Sequence, residues 1–306
     1  MIVAVTGGTG FVGSAIVARH RAAGDEVRLL SRTAPPYRGD LVDPAVDLSA
    51  FLDGVDVLYH CAGEVRDPSR MHELHVLGTQ RLIAAAWGRI RHWAQISSVG
   101  AYGPRREGIV TEADSDLPIG PYETTKTLAD EAVLAAAGAG AFTCTILRPS
   151  NVVGLGMRTG SVFQLISAIA HGYFFYVGPP GAQTNYVHVA NVAEAAFACS
   201  RRDARQARTY IVSDDCTFED FANAVARELD RPAPRLRVPL ALANTLAHSA
   251  GRLPGFPLTP SRLHALTTRA TYSSARLIAE LDYRPPISIS QTIAELVATW
   301  RLHGQT

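Results

Sequence analysis

Residues 2–13 read Ile-Val-Ala-Val-Thr-Gly-Gly-Thr-Gly-Phe-Val-Gly, an apolar strand that runs into a glycine turn and opens a helix. Gly7, Gly10 and Gly13 are spaced G-x-x-G-x-x-G. Glycine lets a backbone turn tightly and approach a pyrophosphate, and the positive end of the following helix offers N–H groups to hold it. Such glycines alone are a weak sign. Here a helix pattern from Phe11 to about Ala23 is closed by Gly24, and a second apolar run, Glu26-Val-Arg-Leu-Leu30, follows. A complete strand–turn–helix–strand unit therefore surrounds them, which implies a dinucleotide site.

The same alternation continues outward. Short apolar runs recur at VDVLYH (55–60), HWAQIS (92–97) and FTCTIL (142–147), with helix patterns at 69–87 and after Pro121 between them. Continuous apolar strands joined by helical crossovers predict a Rossmann-type, doubly wound α/β parallel sheet. Regularity fades after Leu147, where Gly/Pro-rich stretches flank a helix-like SVFQLISAIAHG (161–172). TNYVHVANVAEAAFAC and TYIVSD read as a return to the sheet, RPAPRLRVP and GRLPGFPLTP as an irregular lobe, and ISQTIAELVATWRL as a closing helix. The expected division is a Rossmann domain over 1–150, continued by about 182–230, and a smaller, discontinuous C-terminal substrate-binding lobe from 151–181 and 231–306.

The 306 residues are 47% hydrophobic and 19% charged, enough for a large core. A net charge of +1 and a pI near 7.8 provide no global field for nucleic acid or an anionic membrane, so the expected partner is a small-molecule substrate. Cys61, Cys144, Cys199 and Cys216 are scattered, without a Cys-x-x-Cys pair, and read as buried thiols in a reducing compartment. No signal-peptide pattern precedes IVAV, and no run nears the ~18 apolar residues of a membrane span. A cytoplasmic protein is expected.

The end of the second strand selects the cofactor. An acid there would bind a ribose 2′-hydroxyl, whereas an arginine would bind a 2′-phosphate. The chain has Leu30-Ser31-Arg32 and no acid, so NADP(H) is favoured, with NAD(H) possible. At Gly120-Pro-Tyr-Glu-Thr-Thr-Lys-Thr-Leu-Ala-Asp130, Pro121 suits a first helical turn and puts Tyr122 and Lys126 on one face.

With these parts in place the chain resembles the extended short-chain dehydrogenase/reductase family, which includes sugar-nucleotide epimerases, dehydratases and reductases. The resemblance runs along nearly the whole chain, through TGGTGFVG, GDLVD (39–43), HCAG (60–63), ISSVGAYG (96–103), YETTK (122–126), LRPSNVVG (147–154) and NYVHVANVAEA (185–195). It implies Tyr122 as acid/base, Lys126 as its electrostatic partner and the holder of the nicotinamide ribose, and Ser98 as hydrogen-bond donor to the reacting oxygen. Ser97 competes with Ser98, and the register to Tyr102 favours Ser98. A neighbouring ammonium is expected to lower the phenol from its ordinary pKa of ~10. The resemblance also implies cofactor contacts from Gly7, Thr9, Gly10, Phe11, Val12, Gly13, Ser31, Arg32, Asp40, Leu41, Cys61, Ala62, Gly63 and Pro149. Asn151 would border the substrate, and the helices at 69–87 and 121–138 would pair in a homodimer.

Departures from the family pattern bear on the substrate. His75 stands where an asparagine is frequent, and Thr184 where many sugar-nucleotide members place an arginine on the diphosphate; Arg158 is the candidate substitute. Asn191 in HVAN is a feature shared with the hydroxysteroid-dehydrogenase and flavonol-reductase branches. MHELH (71–75) has its histidines three apart and no third ligand in view, so no metal is expected. The reading is an NADP(H)-preferring oxidoreductase of a carbonyl/secondary alcohol, with a keto-sugar nucleotide as first substrate class. A sugar-nucleotide 4-epimerase, a reductase of a bulky hydrophobic ketone and a non-catalytic dinucleotide sensor are the alternatives.

Overall fold

The computed structural model describes residues 1–157, 160–201, 207–249 and 259–303. Its main strands are β1 (Ile2–Thr6), β2 (Glu26–Ser31), β3 (Tyr37–Arg38), β4 (Val55–His60), β5 (Ile90–Ile96), β6 (Thr143–Pro149), β7 (Asn151–Val153), β8 (Gln183–His188), β9 (Arg208–Val212) and β10 (Asp214–Thr217). Its main helices are α1 (Phe11–Ala22), α2 (Pro68–His72), α3 (Thr79–Ala86), α4 (Pro121–Gly138), α5 (Ser161–Ala170), α6 (Val189–Arg201), α7 (Phe218–Glu228) and α8 (Ile289–His303).

Seven strands form one sheet in the order β9-β6-β5-β4-β1-β2-β3, and all neighbours are parallel. The chain leaves β1 towards β2 and β3, then returns to the other side of β1 as β4. That reversal opens a crevice at the carboxyl ends of β1 and β4, where doubly wound sheets bind ligands. The central strands are largely apolar because both of their faces are covered, whereas β2 and β3 at the edge carry Glu26, Arg28 and Arg38. Val3, Val5, Val57 and Tyr59 face a core shared with Ile16 of α1 and Val192 of α6, whereas Ala4, Leu58 and Trp93 face Leu82 of α3 and Val133 of α4.

The lobe has its own core. Val162 and Ile166 of α5, Phe221 and Val225 of α7, and Leu296 and Val297 of α8 close around Val153 and Tyr176. α7 lies in this second core, although the first unit was expected to continue to about residue 230. Its Phe218 and Phe221 find their apolar partners in the lobe. Conversely, Leu277 and Tyr283 from the tail pack into the core of the main sheet. β8 joins β7 and β10 in a separate three-stranded sheet, and only β9 returns to the main one. Helices over Leu240–Ser249 and Pro260–Thr267 follow the two proline-rich segments, of which residues 251–258 lie outside the described residues. Among the described residues no helix is long and apolar enough to cross a membrane.

Candidate active site

At the cofactor end the backbone itself makes the site. Gly7 has φ +67°, and a Cβ there would stand 2.6 Å from the Ala62 amide nitrogen. A Cβ on Gly13 would stand 2.2 Å from the Gly7 carbonyl oxygen. Neither position takes a side chain without moving backbone, which explains the spacing and seats the loop against Cys61 and Ala62. Gly10 caps α1 with no side-chain hydrogen bond, and the first turn carries no acid. A helix start with open N–H groups and a positive dipole end suits a pyrophosphate. These features fit a nicotinamide dinucleotide. Thr9 and Gly10 are exposed, and Phe11 and Val12 half-buried, on the same rim.

The end of β2 differs in detail from the expectation. The Ser31 hydroxyl accepts hydrogen bonds from the Thr33 and Ala34 N–H groups, so it shapes the turn. Arg32 is exposed. Arg38 on β3 sits in register with Ser31, and its Nε donates to the Arg32 carbonyl oxygen at 3.3 Å. Two arginines therefore mark this corner, and the second was not readable without the strand pairing. Asp40 and Leu41 form a turn docked on α3 by Arg81, whose guanidinium donates to the Leu41 and Asp43 carbonyl oxygens.

The chemistry end is built from side chains. Gly120 and Pro121 start α4, whose inner face carries Lys126, Asp130 and Val133. The helix crosses the end of β5, and the Lys126 Nζ donates to the Ile96 carbonyl oxygen at 2.6 Å. Ser98 caps the short 3-10 turn Val99–Tyr102 by accepting from the Gly100 N–H at 3.0 Å, which leaves its hydroxyl proton to donate. Ser97 is engaged elsewhere, because its hydroxyl donates to the Asp130 carboxylate at 2.5 Å. Glu123 lies over the turn: a Cβ on Gly100 would be 2.7 Å from Glu123 Cγ and 3.3 Å from Ser98 Oγ. Tyr122, Lys126 and Ser98 thus come from two elements in contact, with Glu123 between them and unforeseen from the sequence.

Burial, with the Glu123 and Asp130 carboxylates, pushes the Tyr122 phenol up to about 12. This reverses the expected direction for the chain alone. Burial lowers the Lys126 ammonium, against the pull of Asp130 and Cys61. Behind them Arg148 makes a bidentate pair with Asp116, at 2.6 and 2.7 Å, and reaches Asp130 at 3.5 Å.

His75 holds the site from the other side. A π turn over Glu73–Gly78 interrupts α2–α3 and aims the ring inward. The Glu64 N–H donates to His75 Nε2, so Nδ1 carries the proton and donates to Thr125 Oγ1, which in turn donates to the Pro121 carbonyl oxygen. The ring stands edge-on to Tyr122, centroids 5.7 Å apart. Burial and the Lys126 charge bring His75 down to about 4, so it is neutral at neutral pH. His72 is exposed, and among the described residues no three metal-ligating groups converge.

Of the residues expected to border nicotinamide and substrate, Pro149 is buried at the end of β6, and exposed Asn151 donates to the Asn185 carbonyl oxygen. Gly63 stands beside His75. Thr184 is buried with its hydroxyl on the Cys216 carbonyl oxygen. Arg158 lies outside the described residues.

A model of the NAD dependent epimerase/dehydratase family matches residues 3–213. The dTDP-6-deoxy-L-talose 4-dehydrogenase (NAD(P)(+)) of Kitasatospora kifunensis is 36% identical over 182 residues, 54% of this chain and 57% of that enzyme. That match spans little more than half the relative's length. The 2-alkyl-3-oxoalkanoate reductase of Stenotrophomonas maltophilia is 28% identical over 337 residues, 98% of this chain and 99% of that enzyme. Among solved structures, RMD from Pseudomonas aeruginosa complexed with NADPH has a TM-score of 0.74 at 22% identity, covering 98% of this chain and 99% of that one.

Proposed function

The chain belongs to the NAD dependent epimerase/dehydratase family, an NAD(P)-dependent group of oxidoreductases and epimerases, and within it we propose an NADPH-preferring reductase of a ketone with a bulky apolar substituent. The observation that carries the chemistry is the placing of Tyr122 on the helix beside the turn that Ser98 caps, with the Ser98 hydroxyl proton left to donate. A phenol and a hydroxyl donor on adjoining elements suit proton exchange with a substrate oxygen as hydride moves to or from its carbon. NADPH, when bound, supplies the hydride to the carbonyl carbon. Tyr122 gives its proton to the oxygen, Ser98 donates a hydrogen bond to the same atom, and Lys126 holds positive charge beneath both. The loop from Gly7 to Gly13, with Arg32 and Arg38, would hold the dinucleotide.

Two observations favour an apolar substrate. Thr184 provides no cation for a diphosphate and is turned into the lobe. The segments entering the site expose apolar side chains, Val65 after Glu64, Ile119 before Gly120 and Leu155 after Gly154. The oxoalkanoate reductase, which acts on a substrate named as alkyl-substituted, also matches across the lobe. A 4-keto sugar nucleotide, first on sequence, is the second reading. It is supported by the talose dehydrogenase match, which covers about half of each chain.

The test is NADPH and NADH consumption by purified protein with two panels, long-chain 3-oxo and polycyclic ketones against dTDP- and UDP-4-keto sugars. Turnover with the first panel and none with the second supports the proposal. Turnover confined to the second overturns the substrate class, and epimerised product with cofactor retained through dialysis overturns the reaction.

A further inference from the structure

The geometry points to Asp130 as a positioning residue of the reaction, a buried carboxylate that keeps Lys126 charged and pins together the three elements that carry the site. This rests on the reading of Tyr122, Lys126 and Ser98 given above. Asp130 is 1% exposed, one helical turn beyond Lys126, which is 5% exposed. Its Oδ2 accepts from Ser97 at the end of β5 and from Arg148 at 3.5 Å on β6, while Oδ1 has no hydrogen-bond partner. Ser97 precedes Ser98, Arg148 precedes Pro149, and Asp130 itself shares a helix with Tyr122. One side chain is therefore tied to the β5 end, to β6 and to α4, the elements next to Ser98, Pro149 and Tyr122.

Charge balance gives this tie a consequence beyond folding. The cluster holds two cations, Lys126 and Arg148, and two carboxylates, Asp130 and Asp116, and only Asp116 reaches solvent, with a side chain 33% exposed. Half-buried Glu123 lies over the Ser98 turn, and the other buried titratable groups around Lys126 and Asp130 are uncharged at neutral pH. Burial and Lys126 bring His60 and His75 down to about 3 and about 4. Burial pushes Cys61 and Cys144 up to about 12, and Tyr122 likewise. Arg148 is already matched by its bidentate pair with Asp116. The buried carboxylate left to counter the Lys126 ammonium is Asp130, whose own pKa burial raises while Lys126, Ser97 and Arg148 pull it back down. If Asp130 is neutralised, a dry cluster carries one cation in excess. Arginine does not release its proton, so Lys126 is the group that yields. Burial already favours that loss, and the ammonium would then vanish at a lower pH.

Two alkaline limbs read this out, the NADPH affinity followed by fluorescence and kcat with the most active ketone of the panel above. In Asp130→Asn both limbs move to lower pH by about one unit, as expected for loss of an opposite charge nearby. Ser97→Ala removes the hydrogen bond but keeps the charge and leaves both limbs in place. Folded Asp130→Asn with unmoved limbs overturns the inference, and so does an equal shift in Ser97→Ala. Should Asp130→Asn fail to fold, Asp116→Asn at the exposed end of the cluster decides. Arg148 then draws on Asp130 alone, so a smaller downward shift supports the inference and none overturns it. Tyr122→Phe separates the two levels. Turnover surviving in that variant brings down the reading of the site, whereas an inactive Tyr122→Phe beside an unmoved Asp130→Asn brings down the role of Asp130 alone.

Discussion

The cofactor end and the chemistry end of the crevice are built from different materials. Around Gly7 and Gly13 the site is backbone, and recognition depends on the absence of side chains and on an uncapped helix start. Around Tyr122 it is side chain, and the proposed chemistry draws on five ionisable groups, Tyr122, Lys126 and Asp130 on α4 with Arg148 and Asp116 brought against them by the fold. A site made of backbone is set by local sequence. A site made of charge is set by whatever the fold brings alongside. The two ends should therefore fail separately when they are mutated.

The largest separation is expected from Tyr122→Phe. The ring and its edge-on contact with His75 survive, while the transferable proton is gone. Turnover should fall by about 10³-fold, the usual range for loss of a general acid. NADPH affinity, measured by fluorescence titration, should stay within a few-fold. A variant that lost both together would show that the two ends are not independent.

Gly13→Ala tests the opposite end. Its Cβ would meet the Gly7 carbonyl oxygen at 2.2 Å, and that oxygen also accepts the turn hydrogen bond from the Gly10 N–H. Backbone must shift, at about 1–3 kcal/mol, or roughly 5- to 150-fold in cofactor affinity. Calorimetric titration with NADPH checks it. Saturating cofactor should restore most of kcat, because Tyr122, Ser98 and Lys126 are untouched. Affinity unchanged by the added methyl would mean that the loop is not the seat of the pyrophosphate.

This contrast also explains how much could be read in advance. The strand–glycine–helix unit, the order of apolar runs and the Tyr122–Lys126 pair are local patterns, and their elements occur where periodicity put them. Register favours Ser98 over Ser97, and the Ser97 hydroxyl donates to Asp130, a partner that register does not reveal. Asp130 was in the quoted helix, four residues from Lys126. Its importance stayed hidden because Ser97, Arg148 and Asp116 lie 33, 18 and 14 positions away. The direction of the Tyr122 shift was missed for a related reason, as spacing shows the neighbouring ammonium but not the burial or Glu123. In the lobe, the apolar face of α7 packs with α5 and α8, a partnership that no local pattern displays.

The smallest expected effect sharpens the comparison at the corner where the two materials meet. Arg32 and Arg38 bring charge to the backbone-built end, and both are exposed, so solvent screens each of them. Charge-assisted hydrogen bonds to a 2′-phosphate are worth about 1.5–3 kcal/mol at best. Exposure reduces that, and the NADPH-over-NADH preference should drop by about tenfold in Arg32→Ala/Arg38→Ala, with NADH affinity unchanged. Each single variant should lose less than the pair, because the Arg38 Nε rests on the Arg32 backbone carbonyl, which the alanine at 32 keeps. The two guanidinium groups then act on one ligand oxygen set without depending on each other. If Arg32→Ala alone removes the whole preference, Arg38 only shapes the turn, and selection lies with a single residue at the end of β2. If neither matters, the corner is a solvated surface and the dinucleotide is chosen elsewhere in the crevice.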